Sequence, residues 1–183
     1  MLLPVRELTR KRSEGEEPVY RLSGKEVSGR LDLRHYTVEV AVEIQGCTFL
    51  DEVDLRYCEF KQVVDFSECT FCENFNSGDR TEAYTIYRKD LLCNQVVFKK
   101  TATFNTLKCD GSGYFEEARF EGEEKVDFVG ACFGHQLVCD GATFRGPASF
   151  SAIKCDNDGR FERARFSGEA RFGEAVRREP VLL

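Results

Sequence analysis

Gly141 to Phe172 reads GATFRGPASFSAIKCDNDGRFERARFSGEARF, and its large apolar residues fall on a fixed ruler. Phe144, Phe150, Cys155, Phe161, Phe166 and Phe172 follow one another at intervals of 6, 5, 6, 5 and 6 residues. Two positions before each stands a small or aliphatic residue: Ala142, Ala148, Ile153, Gly159, Ala164 and Ala170. Two inward residues flanking one outward residue is the alternation of a β-strand. Strands this short bury nothing alone, so the chain must coil and stack its turns on one another. The period is too short for a helix–turn–helix unit and does not match a coiled-coil heptad.

The same ruler runs through most of the chain. Leu22, Val27, Leu33, Val38, Ile44, Phe49, Leu55, Phe60, Phe66 and Phe71 step by 5 and 6 in unbroken alternation. A second run goes from Phe98 through Phe104, Cys109, Phe115, Phe120, Phe128, Phe133 and Cys139 into the opening stretch. The one interval of 8, at EGEEKVDF, predicts a two-residue corner bulge. Four steps make a coil of 22 residues with four sides, so Phe128 lies under Phe150 and Phe150 under Phe172. The 24 steps predict six coils, roughly 30 Å long at a strand spacing of about 4.8 Å.

Three segments stand off the ruler. Residues 1–20 are charged and aperiodic and read as an N-terminal arm or cap. The β-helix spans 21–175, interrupted at 72–97, where turn formers precede Ala83, Tyr84, Tyr87 and Leu91 at helical spacing. A short helical or irregular insertion is expected there, with Asp79 or Thr81 as its N-cap. Residues 176–183 read as a tail.

The motifs GATF, EARF, RARF, VDF and CTF resemble the pentapeptide-repeat family, whose loose consensus is A-(D/N)-L/F-x-x. The resemblance covers roughly residues 20–175 and implies an all-β fold, a right-handed quadrilateral β-helix. The strict family period is 5, whereas here 5 alternates with 6. The family also implies a partner, because some members mimic B-form DNA and bind DNA gyrase.

Composition narrows function further. The net charge of −6 over 183 residues disfavours general affinity for nucleic acid or anionic lipid. No apolar run approaches the roughly 18 residues of a membrane span. The first residues lack an apolar core before a cleavage site, so no signal peptide is expected and a cytoplasmic location follows. Six of the 9 cysteines fall on inward positions, where a reduced thiol packs as a small hydrophobe. Cys69 and Cys72 form a C-x-x-C pair, but no second pair completes a zinc site. His35 and His135 sit in no nucleophile motif. Asp156-Asn157-Asp158-Gly159 reads as a tight corner, since an EF-hand would need glycine where Phe161 stands.

Charge is uneven along the axis. Residues 39–79 carry ten carboxylates against Arg56 and Lys61, a net of −8, and residues 80–108 swing to +4. The candidate interaction surface is therefore Asp51, Asp54, Glu59, Asp65, Glu68, Glu73, Arg88 and Lys89. Like charges also stack at the 22-residue spacing, with Asp32 under Asp54 and Glu43 under Asp65. By the ruler Asp54 and Asp65 lie on opposite sides, which gives no single DNA-like stripe. The reading is a non-catalytic scaffold with no cofactor, no metal and no direct nucleic-acid or membrane contact. Its expected partner is another protein, with a DNA-mimicking hold on gyrase or another nucleic-acid-binding protein as the alternative. A homodimer through a terminal coil is a further arrangement that the fold allows.

Overall fold

A computed structural model describes residues 19–79 and 84–177. The chain starts with β1 (Val19–Ser23), β2 (Glu26–Val27), β3 (Leu31–Asp32) and β4 (Thr37–Val38), one strand on each side of a square coil. β5 (Ala41–Gln45) then lies parallel over β1, with Val19 opposite Ala41 and Ser23 opposite Gln45. Every fourth strand pairs in this way as far as β28 (Val176–Arg177). The described residues thus hold four parallel sheets of seven strands, coiled in a right-handed sense. We number the sheets first to fourth after the strand, β1 to β4, that begins each.

The solenoid has seven coils where the ruler gave six: three of the four added strands lie in the expected insertion, and the fourth, β28, falls where a tail was expected. Between β10 (Thr70–Phe71) and β14 (Val97–Phe98) run three more strands, β11 (Phe75–Asn76), β12 (Ile86–Tyr87) and β13 (Leu91–Leu92). Of the two forms expected there, helical or irregular, the described residues show no helix. Ser77, Tyr87 and Cys93 occupy the inward places, so the ruler continues at 6, 10, 6 and 5. Only the step from Ser77 to Tyr87 is long, by five residues. Thr81 and Ala83, part of the expected helix, lie outside the described residues, as do residues 1–18 and 178–183. The bulge appears where expected, with a bend at Glu123 and Glu124 before β19 (Val126–Asp127). Thr103 accordingly faces Asp127, 24 residues on, in place of the usual 22.

The interior is packed by aromatic ladders. On the second sheet Phe49, Phe71, Phe98, Phe120, Phe144 and Phe166 stack in sequence, with centroids 4.8, 5.3, 5.0, 4.6 and 4.7 Å apart. Phe104, Phe128, Phe150 and Phe172 form a second ladder on the third sheet, at 4.6, 5.1 and 5.1 Å. The ladders meet edge to face, as Phe144 does Phe150 at 89°. Each such pair contributes about 0.5–1.5 kcal/mol beyond the area it buries. Gly113 sits inward between Leu91 and Leu137, and a Cβ there would lie 2.4 Å from Cε1 of Phe133. The missing side chain is the room that the Phe133 ring fills.

Half of the corners are β-turns closed by hydrogen bonds such as Tyr36 N–H to the Leu33 carbonyl at 3.1 Å. The residue two past the ruler position takes left-handed backbone: His35, Tyr57, Glu68, Gln95, Thr106, Glu117, Ala152, Arg163 and Glu174, besides five glycines. These corners set the five-residue steps, except that Gly29 lies in the six-residue step from Val27 to Leu33. The six-residue steps turn through looser bends.

Candidate functional site

The charged residues that the sequence singles out are dispersed around the rod. Asp54 projects from the third sheet, Glu59 from the fourth and Asp65 from the first. Asp51 and Glu73 stand at corners between the second and third sheets. Glu68 stands at a corner between the first and second, and Arg88 and Lys89 between the fourth and first. Asp54 and Asp65 lie on opposite sides, as the ruler requires. No face gathers the set.

Much of this charge is engaged within the molecule. Asp54 is 0 % exposed. It accepts from Arg56 Nε at 2.8 Å, Arg56 Nη2 at 2.7 Å and Arg30 Nη2 at 3.0 Å, with Arg34 Nε at 3.5 Å. Burial pushes the Asp54 carboxyl up, but the hydrogen bonds and charge of Arg56 outweigh it and hold it below the ordinary value. Its neighbour Asp32 is held at about 2, chiefly by its hydrogen bond to Arg34. The stacked carboxylates Asp32 and Asp54 are therefore compensated by the arginines interleaved with them. Asp65 accepts from Gln45 Nε2 and from Ser67 N–H at 2.8 Å. Glu59 pairs with Lys61 at 2.8 Å and Arg88 at 2.6 Å, and Glu73 with Lys100 at 2.6 Å.

The same rule holds elsewhere on the surface. Arg21 with Glu43, Arg30 with Glu52, Lys99 with Glu121 and Arg145 with Glu123 are ion pairs one coil apart, at 2.7, 3.3, 2.7 and 2.8 Å. Opposite charges on adjacent strands support the stack by tenths of a kcal/mol each. Of the eight candidates, Asp51, Glu68, Arg88 and Lys89 are exposed; Arg88 is paired with Glu59, and Asp51 accepts the Gly29 N–H at 2.7 Å.

The thiols divide into two kinds. Cys47, Cys58, Cys69, Cys93, Cys109, Cys139 and Cys155 are buried, and only Cys72 and Cys132 are partly open. Burial pushes Cys58, Cys69 and Cys109 up to about 12 and Cys155 to about 11. Within the C-x-x-C pair, Cys69 points inward and donates to the Ile44 carbonyl at 3.1 Å, away from Cys72. Among the described residues no three His, Cys, Asp or Glu side chains are placed to hold a metal ion. The His35 ring stacks on Tyr57 at 4.9 Å, and the Tyr57 hydroxyl donates to Asp79. His135 is exposed at a corner where its backbone bonds Gly111 and Asn157. Asp156 and Asn157 form one of the looser bends, with no left-handed residue, in place of the tight corner expected there.

One concavity was not legible in the sequence. On the outer face of the fourth sheet Lys108, Cys132 and Lys154 stand in register on three successive strands. Around them Tyr84, Asp110, Gly134 and Asp156 enclose a notch of about 600 Å³. Tyr84, just past the five-residue insertion, is 52 % exposed. The signal was present as outward positions 108, 132 and 154, but the bulge makes the first interval 24, and the inward ruler says nothing of outward residues.

No protein-family model, no curated protein and no solved structure matches the chain.

Proposed function

We propose that the chain is a non-catalytic scaffold, a rigid rod whose outer faces bind other proteins without a cofactor. The observation that carries this reading is the filled interior. Stacked rings and aliphatic residues occupy all four inward faces, so chemistry or binding must use the outside. Repeat solenoids with such cores are stiff and present long, regular surfaces. The resemblance to pentapeptide-repeat proteins supports the same reading. A cytoplasmic location agrees with a core of reduced thiols. Among the described residues no helix is long and apolar enough to cross a membrane.

The test is affinity capture from a lysate of the source cell, with four variants that each reverse two exposed charges on one side of the rod. A protein retained by the wild type and lost from only one variant supports the reading. Equal retention by all five, or retention of nothing, overturns it. The DNA-mimic alternative rests on the net −8 of residues 39–79. It is weakened by the burial of Asp54 and the pairing of Glu59 and Glu73. A gyrase supercoiling assay decides it: inhibition by the wild type that Asp51→Ser/Glu68→Ser lacks would favour the mimic over the scaffold.

A further inference from the structure

We propose that the notch on the fourth sheet binds a small organic anion. Its phosphate or carboxylate is held between Lys108 and Lys154 over the Cys132 thiol, and its planar part lies against Tyr84. The proposal is independent of the scaffold reading.

The notch owes its depth to the order of side chains along the sheet. Cys132 is short and stands between two lysines on flexible four-carbon stems. With strands about 4.8 Å apart, the two lysine backbones stand roughly 10 Å apart, close enough for both ammoniums to converge on one anion. Gly134 keeps the rim low, because a Cβ there would lie 2.2 Å from the Asp110 carbonyl oxygen. Tyr84 supplies an aromatic wall at the other end.

Two carboxylates share the notch and oppose an anion. Asp110 is committed to Arg88, Nη1 to Oδ2 at 3.1 Å, and Lys108 reaches its other oxygen only at 3.5 Å. Asp156 is engaged by another group. Lys154 has no ion pair among the described residues, so its charge is available to a ligand.

Cys132 makes the site readable. The native protein is alkylated in parallel with iodoacetate, which is an anion, and iodoacetamide, which is neutral, and each thiol is quantified by peptide mass spectrometry. Cys72, beside Glu73, is the internal reference. The iodoacetate-to-iodoacetamide rate ratio should be on the order of fivefold higher at Cys132, the scale of two exposed cations acting together. Lys108→Met/Lys154→Met should bring it down to the Cys72 value. Both lysines are exposed, so the fold should survive, and an unchanged thermal midpoint checks this.

Protection assays then define the ligand. Phenyl phosphate and benzoate should slow iodoacetamide at Cys132 more than inorganic phosphate does, and Tyr84→Ala should erase that advantage. Whichever aromatic anion protects better identifies phosphate or carboxylate as the preferred group. Equal ratios at the two thiols, or protection that persists in the double-lysine variant, would overturn the site.

Discussion

Ser77 Oγ and the Tyr87 hydroxyl lie 2.6 Å apart, hydrogen-bonded inside the core at the coil that carries the insertion. Ser77 takes the inward place that Leu55 fills one coil below and Phe104 one coil above. Tyr87 stacks flat on Phe60, centroids 4.9 Å apart, and its hydroxyl extends into the space that the small serine leaves. The pair satisfies two polar groups that would otherwise be buried unpaired.

This arrangement predicts strong coupling. Tyr87→Phe and Ser77→Ala should each cost about 1–3 kcal/mol, because each strands the other hydroxyl in an apolar interior. The double variant should cost clearly less than the two added together, since it strands neither. Urea unfolding of the four proteins measures the coupling; strict additivity would mean that the bond contributes nothing.

That coil also shows where sequence and structure part company. The ruler was legible wherever phenylalanine, valine or leucine marked the inward place, and it gave the four sides, the 22-residue register and the bulge. It lost count at Ser77 because serine carries no apolar signal. It then met Tyr84, Tyr87 and Leu91, whose spacing mimics a helix although Tyr87 and Leu91 are ladder residues. The outer surface was less legible. Asp54 and Arg56 are two residues apart in sequence, yet only the coiling brings Arg30 and Arg34 to the same carboxylate. The notch likewise depends on stacking 108 under 132 under 154, which inward periodicity does not display.

The phenylalanine ladder gives a stability contrast between neighbours. Phe144 is buried between Phe120 and Phe166, stacked at 4.6 and 4.7 Å. Phe144→Ala should cost about 3–5 kcal/mol, from lost transfer energy and the cavity left between two rings. Arg145 points outward into an exposed pair with Glu123. Arg145→Ala should cost less than about 0.5 kcal/mol. Comparable denaturation midpoints for the two variants would refute the inward assignment.

The corners make a prediction of opposite signs at equivalent positions. Ala152 takes φ of 55° two residues past Phe150, and Gly46 takes 60° two past Ile44. Left-handed backbone costs a residue with a Cβ about 1–2 kcal/mol. Glycine escapes that cost but loses about 0.5–1 kcal/mol of chain entropy on folding. Ala152→Gly should therefore raise stability by about 0.5–1 kcal/mol and Gly46→Ala lower it by a similar amount. The Gly46 site is open, with its nearest neighbour 3.9 Å from a built Cβ, so strain and not collision is what the second variant measures. Thermal melts of the pair decide the matter, and a loss of stability in Ala152→Gly together with a gain in Gly46→Ala would show that the corners are not strained.

The buried thiols should make the fold sensitive to alkali. An unfolded cysteine ionises near pH 8.5, whereas Cys58, Cys69 and Cys109 are pushed up to about 12 by burial. The folded pKa is the higher one, so their contribution is fully present below about pH 8.5 and is lost as pH rises toward 12. Within that window each such thiol steepens the fall in stability by up to about 1.4 kcal/mol per pH unit, because the unfolded chain releases a proton that the folded one keeps. Cys58→Ala removes one thiol from this count. It should lower stability at pH 7 through a small cavity, yet its decline between pH 9 and 11 should be shallower than that of the wild type by roughly one thiol's worth. Lysine and tyrosine ionisation is common to both proteins and cancels in the comparison. Urea unfolding across that range in a non-thiol reductant gives the two slopes directly. Parallel slopes would mean that Cys58 ionises in the folded protein as freely as in the unfolded chain, against its place in the core.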